Sequence, residues 1–236
     1  MGKTLIIAEL GSNAAPFSRD RIKNMVVLAK RAEADAVKVQ LFKAEHFPNE
    51  ERAAKKRLEF PRELYGYFLE EARKRKLQGG ASVFDVDAID LCTRLGSDFI
   101  KLATREQRNV HLREHVQRTF KGTIFRSVDF LDILEYDDRM PREVTLACIS
   151  KYPTAMNHKL FLRMHETLGL VPSPWGWSSH TQGIEDCIRA AIKGASVIEK
   201  HLLYSHNDNE AKWSIDFGEF KLMARLIRSD YVQRGF

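Results

Sequence analysis

The chain has 236 residues, of which 44% are hydrophobic and 30% are charged, and its formal net charge is +6. These values are ordinary for a globular protein and exclude a disordered or collagen-like chain, and no run approaches the ~18 apolar residues that a membrane span needs. At roughly 100–200 residues per domain, the length fits one large domain or two small ones.

Short apolar runs alternate along the chain with longer stretches that carry apolar residues at helical spacing. The first run is Thr4–Glu9, and a helix is predicted after it over Arg21–Glu33, with Asp20 as its N-cap. The later runs are Ala36–Leu41, Gly80–Phe84, Asp98–Ala103, Gly122–Ser127, Val144–Ile149, Trp175–Ser178 and Ala195–His201. The helices predicted after them lie near Arg62–Lys76, Val86–Leu95, Val110–Arg118, Phe130–Tyr136, Asn157–Leu168, Gly183–Lys193 and Phe217–Arg228. The charged segment with Pro48 and Pro61 is read as a connector.

Eight strand–helix units in succession predict an α/β fold, a parallel sheet closed into a (β/α)8 TIM barrel. The strands show little alternation, as expected when both faces of a sheet are buried. No linker interrupts the pattern, so residues 1–236 are expected to form a single domain with no second one. An open, doubly wound sheet is the alternative, but Gly11-Ser12-Asn13 lacks the glycine pattern of its first turn.

The cysteines and the charge pattern indicate the compartment and the partners of the protein. Cys92, Cys148 and Cys187 form an odd, sparse set without metal-like spacing, which predicts free thiols in a reducing, cytoplasmic compartment. No secretory leader is visible at the N-terminus. Lys55-Lys56-Arg57 and Arg73–Lys76 are interpreted as solvated helix faces rather than a nucleic-acid patch. We therefore expect no nucleic-acid and no membrane partner.

Polar residues follow most of the predicted strands, where the catalytic groups of such a barrel lie. Lysines and hydroxyls that converge there suit a phosphate or a carboxylate. His180 and His201 follow neighbouring strands and could share one divalent metal, although a lone histidine at a strand end is more often structural. Glu9 and Gln40 could orient a polyhydroxylated substrate.

Six segments at strand ends resemble the sialic acid synthase (N-acetylneuraminate synthase) family of phosphoenolpyruvate-condensing barrels. They are Ile6–Asn13, Ala34–Lys43, Ser97–Thr104, Cys148–Thr154, Trp177–Ile184 and Gly194–His201. The resemblance implies a transferase that joins phosphoenolpyruvate to an aldose such as an N-acetylhexosamine. The implied products are phosphate and a nonulosonic, sialic-acid-like 2-keto acid.

The resemblance also implies roles for individual residues. His180 and His201 would hold a divalent cation, Mn²⁺ first and Mg²⁺ or Co²⁺ otherwise, and would form the catalytic set with Glu9 and Glu199. The residues implied for phosphoenolpyruvate are Lys38, Ser82, Lys101, Thr104, Ser150, Tyr152 and Ser178. Those implied for the sugar are Asn13, Gln40 and Glu210, with Asp208 as the alternative to Glu210.

Some positions depart from the family. Ser179 stands in place of the usual Asp, Ala14 in place of the usual His, and Arg126-Ser127-Val128 in place of Ser-Thr-Gly. Family members carry a C-terminal antifreeze-like domain that reaches over the partner barrel of a homodimer. We expect this chain to consist of the barrel alone, and a homodimer is one assembly that it could form.

Two other functions stay open. A Schiff-base aldolase on the same fold would use Lys38 or Lys101 and would be indifferent to a chelator. A barrel that has lost turnover would serve as a binding or regulatory subunit, a reading that the departures at Ala14 and Ser179 favour. The presence of both candidate metal histidines argues against this second reading.

Overall fold

The structure, a computed structural model, describes residues 3–130, 132–133, 139–155, 158–168 and 170–233. Eight parallel strands pair in sequence order, and the first pairs with the last to close a barrel. The strands are β1 (Leu5–Glu9), β2 (Ala36–Leu41), β3 (Gln78–Val83), β4 (Phe99–Leu102), β5 (Thr123–Asp129), β6 (Glu143–Cys148), β7 (Trp175–Ser179) and β8 (Val197–His201). The predicted TIM barrel is confirmed, and the open sheet is excluded.

Helices surround the barrel. They are α1 (Arg19–Arg31), α2 (Asn49–Lys56), α3 (Tyr65–Lys74), α4 (Val86–Leu95), α5 (Val110–Thr119), α6 (His158–Leu168), α7 (Glu185–Ile192), α8 (Phe217–Ile227) and α9 (Asp230–Gln233). Those with buried apolar faces, such as α1, α4 and α8, pack them against the outer side of the barrel. Within the described part of the chain, none is long and apolar enough to cross a bilayer. Cys92, Cys148 and Cys187 are buried free thiols, as expected.

Two local predictions were wrong. Ser18, not Asp20, caps α1, because the Ser18 hydroxyl accepts a hydrogen bond from the Arg21 N–H at 3.1 Å and Asp20 lies inside the first turn. The segment interpreted as a charged connector contains α2, a fully described helix with no buried side chain. Apolar periodicity could not have signalled such a helix. The predicted helix over Phe130–Tyr136 falls mostly outside the described residues.

The interior of the barrel consists of an apolar layer below a polar one. The apolar layer is formed by Ile7, Ala36, Phe99, Phe125, Leu146 and Val197. Side chains alternate along a strand, so the next inward position on each strand lies two residues further on. Those positions hold Glu9, Lys38, Lys101, Ser127, Cys148 and Glu199. The strand period therefore places the charged groups directly above an apolar floor.

Two glycines make room for the bulky side chains of that floor. A Cβ built on Gly80 would lie 2.5 Å from the ring of Phe99, and one on Gly176 would lie 2.5 Å from a methyl carbon of Leu146. Large and small residues thus interlock across neighbouring strands, as close packing requires. The packed floor therefore lies beneath the polar layer, which faces the carboxyl ends of the strands.

Candidate active site

A cavity of about 510 Å³ opens at the carboxyl ends of the strands. The predicted residues that line it are Glu9, Lys38, Gln40, Ser82, Lys101, Thr104, Ser150, Tyr152, His180, Glu199, His201 and Glu210. Ser178 lies just beneath, where it contacts Lys101. The loops after most of the strands thus converge on one site, as the barrel geometry predicts.

A chain of buried ion pairs forms the base of the cavity. Lys38 pairs with Glu9, donates to Ser82 Oγ at 2.6 Å and lies 3.7 Å from Glu199 Oε2. Lys101 pairs with Glu199 and donates to Ser178 Oγ at 3.0 Å. All four charged residues are buried. Burying charge is costly even in pairs, and such clusters are typical of functional sites.

The two carboxyl groups of this chain differ in their affinity for a proton. Burial raises the pKa of Glu9 and outweighs the opposing effect of Lys38. Burial acts in the same direction on Glu199, but Lys101 and Lys38 together outweigh it and lower the pKa of Glu199. Such divergence is typical of sites where one carboxyl exchanges protons and the other stays ionised. Of the two, Glu9 holds a proton more readily.

Lys38 and Lys101 also differ in their affinity for a proton. Burial lowers the pKa of Lys101, and Glu199 opposes this only in part. For Lys38, burial is outweighed by Glu199 and Glu9, which raise its pKa. Lys38 therefore holds its proton more strongly, whereas Lys101 loses its proton more readily.

His180 and His201 lie side by side, with ring centroids 5.6 Å apart. His180 Nδ1 donates to the Ile149 carbonyl at 3.0 Å, and His201 Nδ1 is 2.8 Å from Glu210 Oε2. Burial, followed by the nearby His201, holds the pKa of His180 well below its usual range. The His180 ring is therefore neutral, with the lone pair of Nε2 free for a ligand.

This arrangement fits a shared divalent cation. A metal at ~2.1 Å from a ring nitrogen lies roughly 3.3 Å from that ring's centroid, so rings up to ~6.6 Å apart can share it. A carboxylate or carbonyl on the second ring nitrogen is the usual support of a metal-binding histidine. No set of three or more metal-binding His, Cys, Asp or Glu side chains occurs among the described residues. A cation held by the pair alone would therefore keep positions open for water and substrate.

The loop after β8 carries Glu210 into the cavity, and Asn13 holds that loop. The Glu210 N–H donates to Asn13 Oδ1 at 2.9 Å, while Asn13 Nδ2 donates to the Leu202 carbonyl and to Ser214 Oγ. Asn13 is fully buried and does not line the cavity. Asn13 thus positions the loop that carries Glu210, and its expected contact with the sugar stays a prediction.

Asp208 also lies outside the cavity lining. It pairs with Arg21 at 2.6 Å and accepts hydrogen bonds from the N–H groups of Tyr204 and Ser205. These contacts occupy its carboxylate in holding the loop. The placement of the two carboxylates therefore favours Glu210 over Asp208 as the predicted sugar ligand.

Neither Ser179 nor Ala14 lines the cavity. Ser179 accepts a hydrogen bond from Lys200 Nζ at 2.9 Å, and both residues are buried. Ala14 is buried in the hydrophobic core.

Sequence reasoning passed over Ser127. Its side chain lines the cavity, is 1% exposed, and its hydroxyl has no hydrogen-bond partner among the described residues. A buried hydroxyl without a partner is unfavourable unless a ligand supplies one. Alternation from the apolar Phe125 would have identified Ser127 as the next inward residue.

The chain is similar to known synthases along nearly its whole length. A family model described as the NeuB family matches residues 25–235. The N,N'-diacetyllegionaminic acid synthase of Campylobacter jejuni is 26% identical over 97% of this chain and 76% of its own length. A pseudaminic acid synthase of the same organism is 28% identical over 96% of this chain and 73% of its own length.

A solved structure shares the fold. The N-acetylneuraminic acid synthetase from Leptospira borgpetersenii, in complex with citrate, matches with a TM-score of 0.85 at 23% identity. The match covers 99% of this chain and 85% of that protein's chain.

Proposed function

The chain belongs to the NeuB family, and from that premise we propose that it condenses phosphoenolpyruvate with an aldose. The acceptor is an N-acetylhexosamine or a close relative, and the products are phosphate and a nonulosonic 2-keto acid. Relatives named for legionaminic and pseudaminic acid synthesis support this class of product.

The observation that carries the proposal is a lysine-and-hydroxyl base beneath a histidine pair within one cavity. Lys38 and Lys101 can donate charge-assisted hydrogen bonds to the phosphate and carboxylate of phosphoenolpyruvate. Ser82, Thr104 and Ser127, whose hydroxyl has no partner in the described part of the chain, add hydroxyl donors to the cavity. When Glu9 takes a proton, two ammonium groups face one carboxylate, which favours an anionic substrate.

The histidine pair supports a position for the acceptor aldehyde beside it. A divalent cation held by His180 and His201 would supply Lewis-acid polarisation of the aldehyde oxygen. Glu210 orients the His201 ring through its hydrogen bond to Nδ1. The Tyr152 ring packs against that of His180, with 4.2 Å between the ring centroids.

Residues of the protein then donate and accept protons while the C–C bond forms and the C–O bond to phosphate breaks. C3 of phosphoenolpyruvate bonds to the aldehyde carbon, water adds to C2, and phosphate leaves from C2. The aldehyde oxygen gains one proton, the water loses one as it adds to C2, and the resulting C2 hydroxyl passes its proton to the departing phosphate as the keto group forms. Glu9 can give the first and take the second, because burial raises its pKa. Glu199 stays ionised and holds Lys101 and Lys38 in place.

The test is phosphate release from phosphoenolpyruvate with Mn²⁺ and a panel of aldoses, with and without EDTA. We expect release that depends on both the aldose and the cation, and that is lost in His201→Ala. His111→Ala is the matched control, because His111 is an exposed residue of α5 outside the cavity. No release with any acceptor would contradict the proposal.

One observation favours a second candidate, the Schiff-base aldolase. Burial lowers the pKa of Lys101, which is what an amine nucleophile requires. This function predicts a pyruvyl adduct on Lys101 after borohydride treatment with pyruvate, and no effect of EDTA. Intact mass spectrometry of wild type and Lys101→Met separates the two candidates.

A further inference from the structure

Two cations stand at the mouth of the cavity, away from the ion pairs at its base. Lys55 Nζ and Arg105 Cζ each lie 4.7 Å from the ring centroid of Phe47, and both side chains line the cavity. We call Lys55 and Arg105 the rim cations. Their side chains are 33% and 42% exposed, so a ligand can reach both.

The rim cations retain unused hydrogen-bond donors. Lys55 Nζ makes no hydrogen bond with any described residue and lies 4.0 Å from Glu51. Arg105 uses Nη2 on the His46 carbonyl and Nε beside Glu106 at 3.3 Å, whereas Nη1 is unused within the described chain. Exposed ion pairs of this kind contribute little free energy, so an incoming anion can compete with them.

Lys55 and Arg105 both reach Phe47 although the segment that carries Lys55 does not pack into the hydrophobic core. Lys55 belongs to α2, in which every residue is described and no side chain is buried. Arg105 holds the segment before α2 through the His46 carbonyl. Both cations contact the same ring and line the same cavity, so each would attract an anion at the mouth.

The rim cations lie across the mouth from the histidine pair. Lys55 and Arg105 follow β2 and β4, whereas His180 and His201 lie at the ends of β7 and β8. In a closed barrel of eight strands in sequence order, these two sectors face each other. An open-chain aldose with its aldehyde at the histidine pair therefore extends its far end toward the rim cations.

We propose that Lys55 and Arg105 bind an anionic group, a phosphate or a carboxylate, on the end of the acceptor aldose remote from its aldehyde. The inference rests on the proposed function, because that function places the aldehyde at His180 and His201. Arg105 provides planar donors suited to either anion, and Lys55 adds a mobile point charge.

The test compares three acceptors that differ only at C6: N-acetylmannosamine, its 6-phosphate and the corresponding uronic acid. The measured quantity is kcat/KM for each, in wild type and in the Lys55→Ala/Arg105→Ala double variant. We expect the wild type to prefer at least one anionic acceptor by about ten- to a hundredfold, the range of hydrogen bonds to charged groups. The double variant should lose most of that preference, and the 6-phosphate and uronic acid arms identify which anion is bound.

Lys56→Ala is the matched control. Lys56 is the next residue of α2, pairs with Glu59 at 2.8 Å and does not line the cavity, so the preference should persist in this variant. Equal kcat/KM for neutral and anionic acceptors in the wild type would overturn the inference while leaving the proposed function intact. The inference would also be overturned if the double variant lost kcat/KM only through a higher KM for phosphoenolpyruvate. The rim cations would then bind phosphoenolpyruvate rather than the acceptor.

A binding measurement keeps the inference testable if no acceptor supports turnover. Calorimetry would compare N-acetylmannosamine 6-phosphate with N-acetylmannosamine on the same variants. Tighter binding of the phosphate, lost in the double variant, would support the rim subsite even though the proposed reaction had failed. Equal affinity for the two sugars would refute it.

Discussion

Replacing Lys101 by methionine tests whether the ion pairs at the base of the cavity are coupled as the structure shows. Lys101 is 5% exposed and Glu199 is 1% exposed, so the substitution leaves a buried carboxylate without its main partner. Removing one member of a buried pair typically costs about 3–5 kcal/mol in the free energy of unfolding. Lys38 at 3.7 Å from Glu199 Oε2 offsets part of this, so we expect a loss near ~3 kcal/mol.

The double variant Lys101→Met/Glu199→Gln removes both charges and should lose only ~1 kcal/mol, because no uncompensated ion remains. Urea unfolding at pH 7, with the slope checked for two-state behaviour, gives the free energies of the cycle. Lys23→Met is the control, since Lys23 is exposed on α1. A Lys101→Met variant as stable as this control, or a double variant less stable than the single one, would refute the coupling.

Three further predictions follow from particular contacts. Ser127→Ala should leave the free energy of unfolding unchanged or slightly higher, because the hydroxyl has no partner among the described residues, yet should raise KM for phosphoenolpyruvate about three- to tenfold. Unchanged KM would remove Ser127 from the substrate site. The three buried thiols should resist alkylation at pH 8 and react only in urea, since burial raises the pKa of Cys92 to about 11 and also raises the pKa values of Cys148 and Cys187. Rapid labelling of the native protein would contradict this. Burial works against ionisation of Glu59, but the hydrogen bonds from Lys56 and the Ala44 N–H outweigh burial and lower the pKa of Glu59 below 4.5. Ionised Glu59 therefore stabilises the folded protein above pH 4.5, and this contribution is lost as the pH falls through the lowered pKa. Glu59→Gln should flatten that part of the acid-unfolding curve, and an unchanged curve would exclude the contribution.

The barrel and most of the site could be predicted because both depend on local periodicity. Strand period two fixes which residues point inward, and strand ends fix which of them reach the mouth, so Glu9, Lys38 and Lys101 could be identified from sequence. The same rule applied to β5 would have identified Ser127.

The remaining features depend on contacts between distant segments. Asn13 has the residue type of a sugar ligand, but its amide is engaged by the loop after β8, a contact that no local pattern encodes. The rim cations converge because α2 and the loop after β4 meet at Phe47. From sequence alone, Lys55 is one charge in a solvated run, and α2 has no apolar face by which to recognise it.

The mass of the product formed from phosphoenolpyruvate and an aldose tests the proposed condensation with the fewest assumptions. Phosphoenolpyruvate labelled with ¹⁸O at the C2 oxygen would be incubated with the aldose and Mn²⁺, and both products would be analysed by mass spectrometry. We predict a 2-keto acid three carbons longer than the aldose, with the label in the released phosphate. Phosphate release without a product of that mass, or a label retained in the sugar acid, would contradict the proposed reaction.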